Sequence, residues 1–165
     1  MNKELPSFSH LDDQTGQPAM VDVGRKLQTR RSATARSIVV TGEELVEHLN
    51  GGEIHSPKGP VFQTAVIAGI MAAKNTSSLI PLCHPLSLDD CKLHISVNAE
   101  KEIIIECTVS ITAKTGVEME ALTGASVAAL TIYDMCKSFS HNIVIRETRL
   151  LKKTGGKNDF DNTGA

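Results

Sequence analysis

Cys91-Lys92-Leu93-His94-Ile95-Ser96-Val97, followed by Ile103-Ile104-Ile105-Glu106-Cys107-Thr108-Val109-Ser110-Ile111, alternates apolar and polar residues through two successive runs. Side chains of a strand point alternately to its two faces, so each run has one apolar side. The polar turn Asn98–Lys101 joins them as an antiparallel hairpin. Downstream, Val117 to about Ser140 reads as the longest helix, with Ala121, Ala125, Ala128 and Ala129 making one side of it small, and Ile143–Leu151 reads as a closing strand. Upstream, Val61–Lys74 spaces Ala65, Ala68, Gly69, Ala72 and Ala73 by three and four, a helix with a second small-residue face. Gly51 and Gly52 end a shorter helix that begins near Thr41, where Thr41 and Glu44 have capping-box spacing. The proline- and glycine-rich stretch Glu53–Pro60 is expected to be a loop with Lys58 at its tip. Ile38-Val39-Val40 marks a strand over Ala33–Val40. The order strand, helix, helix, strand, strand, helix, strand predicts an α+β fold, a split β-α-β arrangement with an antiparallel sheet and its helices on one face.

The 165 residues suffice for one domain. Residues 1–32 read as a mobile N-terminal arm, 33–152 as the α+β catalytic domain, and 153–165 as a flexible, basic, glycine-rich tail. Seventeen Lys and Arg against 19 Asp and Glu leave a net charge of −2, which excludes the basic excess of a general nucleic-acid binder. With no Trp, one Tyr and four Phe, stacking platforms for single-stranded bases are also missing, so no nucleic-acid partner is expected. Any anion site must be local. The four cysteines lack CxxC spacing, the first ten residues lack the apolar run of a signal peptide, and no apolar stretch is long enough to span a bilayer. A cytoplasmic protein with no membrane partner is expected.

Three constellations stand apart from core and plain surface. In Ile80-Pro81-Leu82-Cys83-His84-Pro85-Leu86, two prolines restrict the backbone around Cys83 and His84. His84 there can donate to a phosphate or shuttle a proton, or simply bond a neighbouring carbonyl. Adjacent Cys and His do not have zinc-ligand spacing, so no metal site is expected. In the long helix, Glu118, Met119 and Glu120 open the first turn, where acidic residues also suit the helix dipole. Asp134 and Lys137, three residues apart near its end, share a face as an acid/base pair or a surface ion pair. Glu120 and Asp134 are separated by about 21 Å along a continuous helix. If both ends serve one small substrate, the site lies between two subunits, and the small helix faces would permit that packing. Third, Lys58, Lys74, Lys114, Lys137, Lys153 and Lys157 sit in loops or at element ends, where they are either solvated or converge on a polyphosphate.

The strings Met20-Val21-Asp22-Val23, Leu79-Ile80-Pro81-Leu82-Cys83-His84-Pro85-Leu86, Lys114-Thr115-Gly116-Val117-Glu118-Met119-Glu120-Ala121-Leu122-Thr123 and Ala128-Ala129-Leu130-Thr131-Ile132-Tyr133-Asp134-Met135-Cys136-Lys137 resemble the molybdenum cofactor biosynthesis protein C family, from about Met20 to Phe160. The resemblance implies a ferredoxin-like protomer in a hexamer, a trimer of dimers with active sites at the dimer interface. It implies a phosphorus–oxygen lyase that turns a small nucleotide-derived substrate, 3′,8-cyclo-7,8-dihydroguanosine triphosphate, into cyclic pyranopterin monophosphate and pyrophosphate. By matching motif, Asp134 is the catalytic acid/base and Lys137 its assistant. Leu82, Cys83 and His84 form one substrate-binding segment, and Met119 and Glu120 form a second, from the other subunit. Glu118, Lys58, Lys74 and Lys153 fall on pocket positions, although Pro57 beside Lys58 departs from the family pattern. The stretch Arg25–Arg36 is expected to contribute one arginine. No cofactor is implied, although Mg²⁺ can accompany the triphosphate. Without the resemblance, a nucleotide-binding module without catalysis and a purely structural oligomer remain open.

Overall fold

The computed structural model describes residues 15–164. Its elements are β1 (Thr29–Val40), α1 (Glu43–Glu47), β2 (Leu49–Asn50), β3 (Glu53–Ser56), β4 (Gly59–Pro60), α2 (Val61–Lys74), α3 (Thr76–Leu79), β5 (Asp90–Val97), β6 (Ile103–Ala113), α4 (Glu118–Cys136), β7 (Val144–Thr154) and β8 (Phe160–Asp161). The main sheet has the order β5-β6-β1-β7-β8 and is antiparallel throughout. β6 lies between β1 and β5, the two strands that the chain joins through α2. This is the antiparallel α+β architecture expected from the hairpin alternation.

Ile103, Ile105, Cys107, Val109 and Ile111 of β6 are all buried, together with Ala33, Ala35 and Val39 of β1. On this side of the sheet lie α2 and α4, packed through their small faces. A Cβ on Gly69 would meet the carbonyl oxygen of Gly124 at 2.8 Å, and one on Gly124 would meet Sγ of Cys107 at 2.7 Å. The small faces that could have received a neighbouring subunit are thus used within the chain. Around the second half of α4 the core is built from large residues, among them Leu45, Ile54, Phe62 and Ile132; around its first half it is largely alanine, valine and Cys107.

Four expectations need correction. Glu53–Pro60 is not a loop but two strands, β3 and β4, of the small sheet β2-β3-β4. Gly51 and Gly52, both at positive φ, make the two-residue turn before it, and Pro57-Lys58 makes the turn inside it. The capping box does not form: Gly42 is the N-cap of α1, and Thr41 Oγ1 donates to the carbonyl of Gly42 instead. α4 stops at Cys136, four residues short of Ser140. Both domain boundaries also shift, since β1 starts at Thr29 and β7 runs to Thr154.

The tail expected to be flexible is hydrogen-bonded back onto the sheet through β8. Gly155, at φ 84, allows this because a Cβ there would lie 2.0 Å from the carbonyl oxygen of Arg30. Residues 1–14 of the expected mobile arm lie outside the described residues. Among the described residues, no helix is long and apolar enough to cross a membrane.

Candidate active site

Apart from Lys74, the predicted site residues gather at the two ends of α4. At its start, Leu82, Cys83, His84, Met119, Glu120 and Glu118 line one pocket of about 190 Å³. The 82–84 segment and the 119–120 segment therefore meet within a single chain, where the resemblance had assigned them to different subunits. The reason is local: α3 ends at Leu79, and the Pro81–Pro85 loop carries the chain across the first turn of α4 before β5 begins.

Glu120 is 4% exposed, and burial, with Glu118 adding to it, raises its carboxyl above the ordinary carboxylate value. Burial and then Glu120 likewise push the Cys83 thiol up, so it is no ready nucleophile. Nε2 of His84 lies 2.9 Å from the carbonyl oxygen of Val21. A carbonyl only accepts, so Nε2 carries the proton.

This pocket shares Thr115, Gly116 and Glu118 with a larger cavity of about 440 Å³. Five cations line that cavity: Lys26, Arg31, Lys114, Lys153 and Lys157. Glu118 is the one carboxylate in the lining, 3.1 Å from Nζ of Lys153. Gly116 makes room for it, since a Cβ there would fall 1.9 Å from Glu118 Oε2. In a chain of net charge −2, this cavity is a local concentration of positive charge.

Its assembly depends on a register shift. Ala35 pairs with Leu150 but Thr34 pairs with Lys152, so Leu151 is an extra residue in β7. A bulge reverses the alternation beyond it, turning Lys153, opposite the buried Ala33, toward the helices and Glu118. From the Arg25–Arg36 stretch, Arg31 lines the cavity, its Nε donating to the carbonyl of Ala113 at 3.1 Å. Lys26 was not singled out by spacing. It arrives on the irregular chain before β1, where periodicity carries no signal.

At the far end of α4, Asp134 is held between two ammoniums: Lys137 Nζ is 2.7 Å from Oδ1 and Lys58 Nζ 2.7 Å from Oδ2. Lys58 also donates to the Asp134 carbonyl. Hydrogen bonds from Lys137 and then Lys58 hold the Asp134 carboxyl down to about 2, while Asp134 raises Lys137. The Pro57-Lys58 turn, despite departing from the family pattern, places the lysine on its target.

Lys74 joins neither group. It ends α2 beside β5, where its charge acts on Cys91. Among the described residues, no three His, Cys, Asp or Glu side chains cluster as a metal site would require.

Comparison with known proteins agrees in length and order. The chain is 54% identical over 153 residues to the cyclic pyranopterin monophosphate synthase of Xanthomonas oryzae pv. oryzae, covering 93% of this chain and 92% of that protein. It is 51% identical over 150 residues to the protein of that name from Desulfitobacterium hafniense, covering 91% and 90%. It also matches the molybdenum cofactor biosynthesis bifunctional protein of Synechocystis, 51% identical over 160 residues, but spans only 46% of that longer protein. The model of the MoaC family matches residues 20–156, and with relatives this similar over nearly their whole length the chain belongs to the MoaC family.

Proposed function

We propose that this chain is a cyclic pyranopterin monophosphate synthase of molybdenum cofactor biosynthesis, acting on 3′,8-cyclo-7,8-dihydroguanosine triphosphate. The observation that carries the reading is the five-cation cavity at the start of α4, opening onto the pocket that holds His84 and Glu120. The cavity suits a polyphosphate, and the adjoining pocket suits the polar purine-derived rings. Closing the cyclic phosphate requires a substrate hydroxyl to attack the α-phosphorus. Its proton passes to a base, the bond to the β-phosphate breaks, and the converging lysines stabilise the charge on the departing pyrophosphate.

Opening the five-membered ring and reclosing it as a pterin requires repeated proton transfers, which we assign to Asp134 as acid/base, assisted by Lys137. In the free chain each favours the charged form of the other, and Lys58 adds to the hold on Asp134. A substrate that displaces water and separates the pair would bring their proton affinities closer. The two halves stand about 21 Å apart along one rigid helix. The reading therefore requires a second copy, placing the helix end of one protomer at the helix start of the other. A hexamer built as a trimer of dimers satisfies this. Lys74, which joins neither cluster within the chain, is assigned to that composite site as well. No resident cofactor is needed for these steps, and Mg²⁺ enters, if at all, with the triphosphate. Four free cysteines are in keeping with a cytoplasmic location.

The test is single-turnover conversion of the cyclic triphosphate, following pterin product and pyrophosphate together. Wild type should release both, and Asp134→Asn should bind substrate but stall. Wild-type oligomer that binds and releases neither would leave a nucleotide-binding module in place of the enzyme.

A further inference from the structure

Residues 21–27 lie across the site. The carbonyl oxygen of Val21 accepts from His84 Nε2 at 2.9 Å, and that of Gly24 accepts from Lys114 Nζ at 2.6 Å. Two donors facing the cavities are thus occupied by backbone carbonyls three residues apart. The spacing is set locally: the Gly24 amide donates to Asp22 Oδ1 at 2.7 Å, an Asx turn, and the Lys26 amide donates to the Val23 carbonyl at 3.1 Å. The same segment forms a wall on both sides. Lys26 and Leu27 line the cationic cavity, while Val23 and the adjacent Gln28 line a neighbouring groove of about 450 Å³ that also contains His84 and Lys114.

Little else among the described residues holds the segment down. Asp22 and residues 24–27 are exposed, and Leu27 keeps 83% of its surface in solvent. Its two anchoring bonds run from cavity donors to neutral carbonyls. A phosphate oxygen is a charged acceptor, which makes a bond from His84 roughly twice as strong as a neutral one and gives the ammonium of Lys114 an anion in place of a neutral carbonyl.

We propose that residues 21–27 form a strap that the substrate's phosphates displace, taking His84 and Lys114 from the Val21 and Gly24 carbonyls, and that Asp22 is the positioning residue that sets the strap in place. This deepens the reading of the cavity as an anion site and rests on it. While the strap is down, its carbonyls satisfy donors that would otherwise attract any passing anion. Only a ligand offering several charged oxygens at once replaces both bonds, so the strap favours a polyphosphate over a single phosphate. Lys26 moves with the strap and adjusts one of the five cations as the ligand enters.

The strap carries its own reporter, because trypsin cleaves after Arg25 and Lys26. The experiment measures cleavage at these two bonds by mass spectrometry, with and without inorganic triphosphate, alongside calorimetric binding of the same ion to the intact oligomer. Wild type should be cut about tenfold faster with triphosphate bound, as expected when a local contact worth one or two hydrogen bonds is lost. Asp22→Ala should be cut at the faster rate without triphosphate and should bind it about three- to tenfold tighter, a gain that mere structural damage would not produce. Asp22→Asn, whose amide oxygen still accepts from Gly24, should behave as wild type. Lys114→Met, which removes one anchor, should also free the strap without the ion. Triphosphate that binds but leaves cleavage unchanged, or protects the strap, would overturn the displacement. Triphosphate that binds none of these proteins would overturn the anion site itself.

Discussion

The ammonium of Lys58 reaches Asp134 Oδ2 at 2.7 Å across 76 residues of sequence, tying the turn between β3 and β4 to the last turn of α4. Together with Lys137 it holds the Asp134 carboxyl down to about 2, so the group is ionised at neutral pH. Removing either lysine raises that value toward the ordinary one for a carboxylate. Lys58→Met should therefore lower turnover and move the acid limb of the pH–rate profile upward. The two chains would then differ most at acid pH, where the variant's Asp134 protonates first. An acid limb that stays in place on loss of Lys58 would mean that another group sets it.

Glu53 makes a shorter reach inside the fold. Its Oε1 accepts from the amides of Ile54 and Phe62 at 2.8 and 2.7 Å, and its Oε2 from that of Gln63 at 3.0 Å. α2 has no side-chain cap from its own N-cap, Pro60, so this carboxylate from β3 satisfies first-turn amides that would otherwise have none. Glu53 is 8% exposed, and water cannot readily replace it. Glu53→Ala should cost about 2 kcal/mol, within the range for hydrogen bonds to a charged group, and Glu53→Gln less. Denaturation at fixed protein concentration measures it, with the midpoint falling and the slope unchanged.

Glu120 should act on stability in the opposite direction. Burial raises its folded-state value, so the folded protein holds this proton more tightly than the unfolded chain does. Such a group contributes stability that is fully present below its unfolded value, near pH 4, and is lost as pH rises through the folded one. Glu120→Gln removes the titration. The thermal midpoint of the variant should match wild type near pH 4 and exceed it progressively toward pH 8, while substrate binding weakens. A gap that is constant with pH would mean that Glu120 titrates alike in the folded and the unfolded chain, so that burial does not raise it.

These features differ in how far the sequence discloses them. Alternation through 91–111 and the three-and-four spacing of small residues in α2 are direct images of the strand and helix repeats, and both appear where expected. The β2-β3-β4 sheet has strands of two to four residues, too short for any period to show, and its glycines and prolines look like a loop. The Asp134–Lys137 pair is visible as a spacing of three on a helix, but the arrival of Lys58 follows from a hairpin that the spacing cannot reveal. Lys153 is subtler still. Plain alternation from Leu150 would point it away from α4, and the bulge at Leu151 reverses that. Register is a property of two strands at once, so one strand read alone cannot contain it.

The same limit applies between chains, where the two ends of α4 offer the sharpest test. Asp134→Asn disables the helix-end half of the site, and Lys153→Ala weakens the helix-start half by removing a cavity cation paired with Glu118. If one site draws both halves from a single chain, mixing the two variants yields only the residual activity of each. If the halves come from different protomers, a mixed dimer has one site with both lesions and one with neither. Random reassembly of equal amounts makes about half the dimers mixed, so about a quarter of the wild-type sites should return. The measurement is turnover after dissociation, mixing and reassembly, with each variant carried through alone as the control. Recovery near a quarter establishes the composite site; recovery no greater than the average of the two controls places the complete site in one chain and requires α4 or the strap to move far more than a rigid helix allows.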